Sequence, residues 1–262
     1  MKTPRMIISS SRRLGLLIWH ALREAVHQRI LWLLAGMALL LTVGGASLRE
    51  LNFGAAEARF LTDFAAGTRM LCGSLLAIAL PAAVFFLALG NRTIQLELMH
   101  GVSRTEWLMG RLAAIWLLLA GFAMLVTIAL ALLLSQQGMA LSALGWLTID
   151  AVLAFVRFAV IATAALAFCT IARAPLLAQG LSVLFVMAGQ LSPVWSAGQP
   201  SRHGFAQQLA GWAGLLVPDL QLYEQTSGTA DLVAFGGIFL TGAGYCLLYG
   251  GLGCMVFSRR EL

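Results

Sequence analysis

Six long apolar stretches, separated by short polar connections, run along most of this 262-residue chain. Hydrophobic residues make up 60% of the sequence, whereas charged residues make up 11%, against about 25% in a typical soluble domain. A soluble fold of this length cannot bury so much apolar surface. The pattern therefore predicts an integral membrane protein that crosses the bilayer several times.

Each stretch meets the length of about 20 residues that a helix needs to cross roughly 30 Å of hydrocarbon. The apolar runs are continuous rather than alternating, which favours helices over the strands of a β-barrel. We therefore predict an all-α fold with six transmembrane helices, the fourth being the weakest because Asp150 and Arg157 interrupt it. The predicted spans are Ile30–Leu48, Met70–Gly90, Arg111–Leu134, Trp146–Thr170, Pro175–Trp195 and Asp231–Phe257.

The chain divides into an N-terminal region, residues 1–29, and a six-span transmembrane domain, residues 30–262. Residues 12–29 carry apolar side chains at the spacing of one helical face, which predicts an amphipathic helix lying in the membrane interface. The outer segment, about residues 196–230, contains an apolar run at 205–217 that is shorter than a span. This run predicts a re-entrant or interfacial helix between the last two spans.

Basic residues are distributed unevenly between the two sides that alternating spans would create. The N-terminal region, the second-to-third connection, Arg173 and the C-terminus hold most of them. The opposite side is predicted to hold Arg49, Arg59, Arg69 and Arg202. The positive-inside rule therefore places both termini in the cytoplasm. This asymmetry and anionic lipid headgroups account for the net charge of +6, so no nucleic-acid partner is needed to explain it.

The connection between the second and third spans, about residues 91–110, is the densest polar passage within the transmembrane domain. Ser103 and Glu106 match the Ser-x-x-Glu capping box, which predicts a helix beginning near Arg104. Gly101 would separate that helix from a short preceding one. The pattern indicates a helix-turn-helix elbow at the membrane surface, with an ordinary solvated loop as the alternative.

The run GVSRTEWLMGR resembles the signature that follows the second span in permeases of type-2 ABC exporters. The matching positions are Val102, Ser103, Arg104, Glu106 and Gly110. Gly101 stands in place of the usual proline, and Arg111 in place of the usual lysine. Three further segments are similar to the family in the same order along the chain: LREAVHQRILWLL at 22–34, PDLQLY at 218–223 and FSRREL at 257–262.

The resemblance implies one permease subunit of an exporter in a bacterial inner membrane. A second copy or a paralogous permease would complete the pathway, and separate cytoplasmic ATPase subunits would bind ATP and Mg²⁺. The chain has no Gly-x-x-x-x-Gly-Lys-[Ser/Thr] motif, and we expect it to have no catalytic site, cofactor or metal of its own. In the family the second connection carries a coupling helix, so the candidate ATPase-coupling residues are Arg92, Glu97, His100, Ser103, Arg104 and Glu106.

Polar residues inside the spans suggest a second kind of site. A central charge costs at least about 2.5 kcal/mol on insertion scales, so Arg157 is expected to face a wet cavity or a partner. Asp150 lies on roughly the same helical face but about 10 Å away along the axis. Both residues are candidates for the substrate pathway, with a structural role or snorkelling as the alternative for Arg157.

Small residues recur every four positions in the last span, at Gly242, Cys246, Gly250 and Cys254. Such a stripe lets neighbouring helices approach closely. It predicts helix packing within the subunit, with a seam between two copies as the alternative.

Other functional classes fit the sequence less well. A membrane-embedded enzyme would need a catalytic or metal-binding motif such as His-Glu-x-x-His, which is not present. An ion-driven secondary transporter would be expected to show acidic residues at mid-membrane and often an inverted repeat. A non-transporting membrane subunit that transmits ATPase-driven motion to an extracytoplasmic partner is the closest competitor to the permease.

Overall fold

The computed structural model describes residues 10–27, 29–47, 57–91, 93–99, 102–135, 142–197, 216–223 and 232–259. Within these ranges the chain is helical apart from short connections, and they contain no β-strand. A 3₁₀ turn, Leu220–Tyr223, precedes the last helix. The α-helices are α1 (Ser10–Val26), α2 (Arg29–Ser47), α3 (Glu57–Gly90), α4 (Thr93–Met99), α5 (Arg104–Ser135), α6 (Ser142–Ile171), α7 (Pro175–Ala197) and α8 (Leu232–Arg259).

Five of these helices are long and apolar enough to cross a membrane, which makes the chain an integral membrane protein. Their apolar parts are Thr62–Gly90 in α3, Arg104–Ser135 (α5), Leu147–Ile171 in α6, Pro175–Ser192 in α7 and Phe235–Arg259 in α8. Helix α2 occupies the predicted first span, but its apolar part, Leu31–Leu40, is shorter than the others. The sixth span remains a prediction.

Helix α6 lies at the centre of the bundle, where it contacts α3, α5, α7 and α8. In the most apolar 18-residue segment of α6, 83% is buried inside the protein. This is the largest buried share among the five spans. The sequence marked this span as the weakest because of Asp150 and Arg157. Its central position explains why those charges are tolerated, since they face other helices rather than lipid.

The core has two main parts. The first lies between α3, α5 and α6 and contains Leu76, Ile115 and Phe158, all fully buried. Close packing there requires Gly73, because a Cβ at that position would overlap the Phe158 ring. The second part lies at the end of the bundle that contains α4 and the start of α5. We call this end of the bundle the α1/α4 end. Phe85, Trp107 and Phe257 form its aromatic centre.

Helix α1 overlaps the predicted amphipathic helix, whose position in the membrane interface remains a prediction, and protein covers one of its faces. Ala21 and Ala25 are buried, and the Cβ of Leu17 lies 3.2 Å from where a Cβ on Gly110 would stand. Trp19 on another face is 66% exposed. Small residues on both helices therefore let α1 pack closely on the start of α5. A helix predicted to lie in the interface is thus also fastened to a span.

The outer segment enters the bundle before α8 begins. Tyr249 donates a hydrogen bond of 2.6 Å to the carbonyl oxygen of Leu216, and Gln221 Nε2 donates one of 3.0 Å to the carbonyl of Gln190. Tyr249 lies about 25 Å along α8 from its first residue, so the backbone at Leu216 packs beside the middle of α8, while the Leu216 side chain is exposed. Most of the predicted re-entrant helix, residues 205–215, lies outside the described residues.

Candidate functional site

Both helices of the predicted elbow, α4 and α5, are present, whereas Gly101, which was predicted to separate them, lies outside the described residues. The backbone N–H of Ser103 donates to Glu106 Oε2 at 3.0 Å, and the backbone N–H of Glu106 donates to Ser103 Oγ at 3.2 Å. These reciprocal bonds are the predicted capping box, and α5 begins at Arg104. The elbow consists of α4, residues 102–103 and the first turn of α5.

Glu97 ties α4 to its neighbours. The indole N–H of Trp107 donates to Glu97 Oε2, and His20 Nδ1 in α1 lies 3.6 Å from Glu97 Oε1. On the same helix Ile94 is buried. The side of α4 that carries Ile94 and Glu97 therefore faces the bundle, and this carboxylate bridges α1, α4 and α5.

A second ionic contact fastens α1 to α5. Arg111, which is almost fully buried, pairs with Glu24 of α1. The Arg111 guanidinium also lies 5.0 Å from the ring centroid of Trp107, a cation–π geometry. Trp107 thus contacts both Glu97 and Arg111, and the polar side chains form one continuous chain of contacts across three helices.

Arg104 joins the start of α5 to the end of α8. Its Nη1 lies 3.4 Å from the carbonyl oxygen of Phe257 and 3.2 Å from that of Ser258. These carbonyls belong to the last turn of a helix, where they have no partner further along the helix and where a cation is favoured. Next to them Phe257 stacks on Trp107. Arg104 therefore has a bracing position, which the sequence did not indicate.

Among the described side chains of α4, two that were not named individually as candidates, Gln95 and Met99, face outward. Gln95 is exposed, and Met99 is 83% exposed. The two are four positions apart and share a face, whereas Ile94 and Glu97 point inward. Helical spacing places Gln95 and Met99 on one face, but only the bundle shows that this face is the outward one. Arg92 and His100, which the sequence did select, lie outside the described residues.

A buried ionic contact links the spans α3 and α6. Arg69 is 1% exposed, pairs with Asp150, and donates a second bond of 3.1 Å to Thr127 Oγ1 in α5. The sequence placed Arg69 in an outer connection, and this is wrong, because α3 begins a dozen residues earlier and carries Arg69 inside the bundle. Asp150 supplies the charge that makes this burial possible.

Arg157 points towards α3, two turns further along α6. It is 2% exposed, and its Nη1 lies 3.5 Å from Met70 Sδ. Arg69, the partner of Asp150, is adjacent to Met70 in α3. Asp150 and Arg157 therefore both face α3. A role for Asp150 or Arg157 in a substrate pathway remains a prediction.

The small residues of α8 pack against α6. A Cβ on Gly242 would overlap Val156, and a Cβ on Gly250 would lie 3.7 Å from Thr163 Cγ2. Cys246 Sγ lies 3.8 Å from Thr163 Oγ1. Packing within the subunit is therefore one role of the stripe. The same residues, with Cys254, also line a groove of about 520 Å³ between α5, α6 and α8.

Comparison of the sequence with protein-family models and with curated proteins finds no match. Among the described residues, no group of three His, Cys, Asp or Glu side chains is placed to hold a metal ion. The functional inference therefore depends on the elbow, on the buried charges and on the resemblance of residues 101–111 to one family.

Proposed function

We propose that this chain is the permease subunit of an ATP-binding-cassette exporter. It would form a translocation pathway with a second copy or a paralogous permease. Separate ATPase subunits would contact the elbow and would bind ATP and Mg²⁺. The excess of basic residues at the α1/α4 end favours the cytoplasm for that end, and hence for both termini.

The observation that carries the proposal is the continuous set of contacts that connects α4 to the spans. Glu97 contacts Trp107 of α5 and faces His20 of α1, and Arg104 contacts the last turn of α8. Displacement of α4 by a bound partner would therefore be transmitted to α5 and α8 together. A coupling element needs this property, because ATP binding elsewhere must bias two arrangements of the spans.

The docking surface for the ATPase would be the outward face of α4. Met99 is exposed on this face, and an exposed methionine suits a hydrophobic groove on a partner that must repack. Gln95 lies beside it. In this proposal Glu97, Ser103, Arg104 and Glu106 hold the elbow in shape, while Gln95 and Met99 touch the ATPase.

A secondary transporter is a second candidate, favoured by one specific observation. The Arg69–Asp150 pair joins α3 to α6 and contacts Thr127 of α5, so it connects three spans within the bundle. Ion-driven carriers use intramembrane acidic residues in this way. The pair is also the arrangement expected of a structural brace, so we rank this candidate below the exporter. A non-transporting ABC subunit would use the same elbow.

The test begins with co-purification of the tagged chain with candidate ATPases encoded beside it. Met99→Glu places a charge on the outward face, and we expect it to abolish complex formation. Ala174→Glu is the matched control, because Ala174 is exposed near the same end of the bundle but lies between α6 and α7. Retention of the complex by Met99→Glu would contradict the assigned surface.

A second pair of variants separates docking from transmission. Trp107→Phe keeps an aromatic side chain, although a smaller one, and removes the N–H that bonds to Glu97, and Glu97→Gln removes the carboxylate charge. Both are expected to keep the ATPase bound while weakening the coupling of ATP hydrolysis to the permease several-fold. Failure of every candidate ATPase to bind the folded wild-type chain would overturn the proposal and would favour an ion-driven carrier.

A further inference from the structure

We propose that the groove between α5, α6 and α8 binds one hydrocarbon chain of an anionic membrane lipid, with the lipid headgroup at the α1/α4 end. The groove measures about 520 Å³, within the range of about 300 to 1,000 Å³ found for small-molecule sites. This inference does not depend on ATP-driven transport. It concerns a binding site on a face of the bundle away from the outward face of α4.

The lining of the groove excludes polar ligands. Its floor contains Leu112, Val156 and Ala159, all buried, and its walls add Phe155 and the small residues of α8. The nearby polar groups already have partners. The Trp116 indole N–H donates to Thr163 Oγ1 at 3.2 Å, and that hydroxyl lies 2.6 Å from the carbonyl oxygen of Ala159. A sugar or nucleotide would lose its hydrogen bonds to water there without replacement, whereas a hydrocarbon chain would lose none.

The groove opens towards the bilayer. Its rim residues Met109, Phe239 and Leu247 are exposed, and all three belong to the apolar spans α5 and α8. Along α8 the lining extends from Phe239 to Cys254, about 22 Å of helix. That length covers most of a hydrocarbon core of about 30 Å. An extended acyl chain can therefore enter sideways from the membrane and lie along the groove.

Charge at one end of the groove favours an anionic headgroup. The lining reaches Met109 on α5 and Cys254 on α8. Arg104 and Arg259 lie five residues beyond these positions, about 7 Å further towards the α1/α4 end. Arg104 is held beside α8 by its bonds to the carbonyls of Phe257 and Ser258, and Arg259 is exposed. An uncharged groove with the exposed Arg259 at its end is complementary to a negatively charged lipid.

The test uses the purified full-length chain in phosphatidylcholine vesicles that contain phosphatidylglycerol with a photoreactive diazirine in its acyl chain. Gly251 lines the groove, and a Cβ on it would meet no atom within 4 Å, so Gly251→Leu places a side chain in the groove without crowding at the Cβ. Gly244→Leu is the matched control, because Gly244 is equally open on the same helix but does not line the groove. We expect light-induced labelling of Met109, Leu247 and Cys254 to fall several-fold in Gly251→Leu and to be unchanged in Gly244→Leu.

The headgroup is tested with a second variant and a second lipid. Arg259→Gln should reduce labelling by the phosphatidylglycerol probe several-fold and should leave labelling by the matching phosphatidylcholine probe unchanged. If Gly251→Leu does not fold, Ala243→Leu fills the same groove from another position. Equal labelling of the filled variants and of Gly244→Leu would show only bulk lipid and would overturn the proposal.

A second copy of the chain is the competing occupant. A photoreactive amino acid at Leu247 should attach to lipid, and attachment to another copy in its place would overturn the proposal. None of these measurements requires an ATPase. Failure of lipid labelling therefore leaves the proposed permease function standing, and failure of ATPase binding leaves the lipid site standing.

Discussion

At the scale of single residues, three of the arginines that the structure describes are buried among largely apolar surroundings. Arg69 pairs with Asp150, Arg111 pairs with Glu24, and Arg157 contacts Met70. Burial of an ion pair is neutral or unfavourable in itself, but loss of one partner leaves an uncompensated charge. The two carboxylates are therefore required mainly because the arginines are present.

Removal of Asp150 and removal of Arg69 are predicted to destabilise the protein by different amounts. Asp150→Asn leaves Arg69, whose side chain is 2% exposed, without a counter-charge and should cost about 3 kcal/mol. Arg69→Met should cost less, because the Asp150 side chain is 39% exposed and can be hydrated. Thermal unfolding in detergent measures both variants. The double variant should be more stable than the sum of the single effects implies, and strict additivity would contradict the pairing.

At the scale of helices, the contact between α6 and α8 depends on a small residue, and the start of α5 depends on a capping residue. Gly242 allows α8 to contact Val156 of α6, and Ser103 with Glu106 begins α5. Gly242 is required because a side chain there would overlap α6, and Ser103 is required because it accepts a hydrogen bond at the start of α5. Two pairs of substitutions test these requirements.

Gly242→Ala should destabilise the seam between α6 and α8 by about 1 to 3 kcal/mol, because the added methyl overlaps Val156 in a packed core. Gly244→Ala is the control, since a Cβ there meets nothing within 4 Å. It should be neutral or slightly stabilising, because alanine favours helix over glycine. Thermal unfolding of the two variants distinguishes packing from helix propensity. Equal melting temperatures would contradict the close approach.

Ser103→Ala should cost about 1 kcal/mol, because it removes the acceptor for the backbone N–H of Glu106. Ser103→Asp should retain most of the stability, since aspartate also caps helices. Hydrogen exchange at the Glu106 amide reports the loss directly. Unchanged protection of that amide in Ser103→Ala would show that the cap contributes nothing to the start of α5.

At the scale of the whole molecule, the contacts at the α1/α4 end bring distant parts of the chain to one face. His20 and Met99 lie on helices joined through Glu97, and Ser258 contacts Arg104. Asp63 lies near the other end of α3, about 40 Å from Gly90. The permease proposal assigns the first face to the cytoplasm, which can be checked without a partner.

Single cysteines at His20, Met99 and Ser258 should therefore react with a membrane-impermeant maleimide from the same side, and a cysteine at Asp63 from the opposite side. In sealed vesicles the first three should be protected when the cytoplasmic face points inward. The native cysteines all lie in the spans, two of them fully buried, and provide a low background. Labelling of Met99 and Ser258 from different sides would contradict the arrangement of α4 beside α8.

Much of the fold followed from local features of the sequence. The elbow and the capping box were predicted because Ser103 and Glu106 interact over one turn. The face of α4 that contacts α5 was not predicted, because only the bundle reveals that Glu97 lies under Trp107. Arg69 was assigned to a connection because hydropathy alone cannot distinguish a charge at the start of a span from one buried within it.

The helical, membrane-embedded character of the chain follows from local sequence alone, because continuous apolar runs must satisfy their backbone hydrogen bonds internally. The start of α5 follows in the same way, because capping is local. The central position of α6, the pairing of Asp150 with Arg69 and the groove beside the stripe of α8 are visible only in the packed bundle. These features depend on contacts between residues far apart in the chain, and such contacts are set by how whole helices pack.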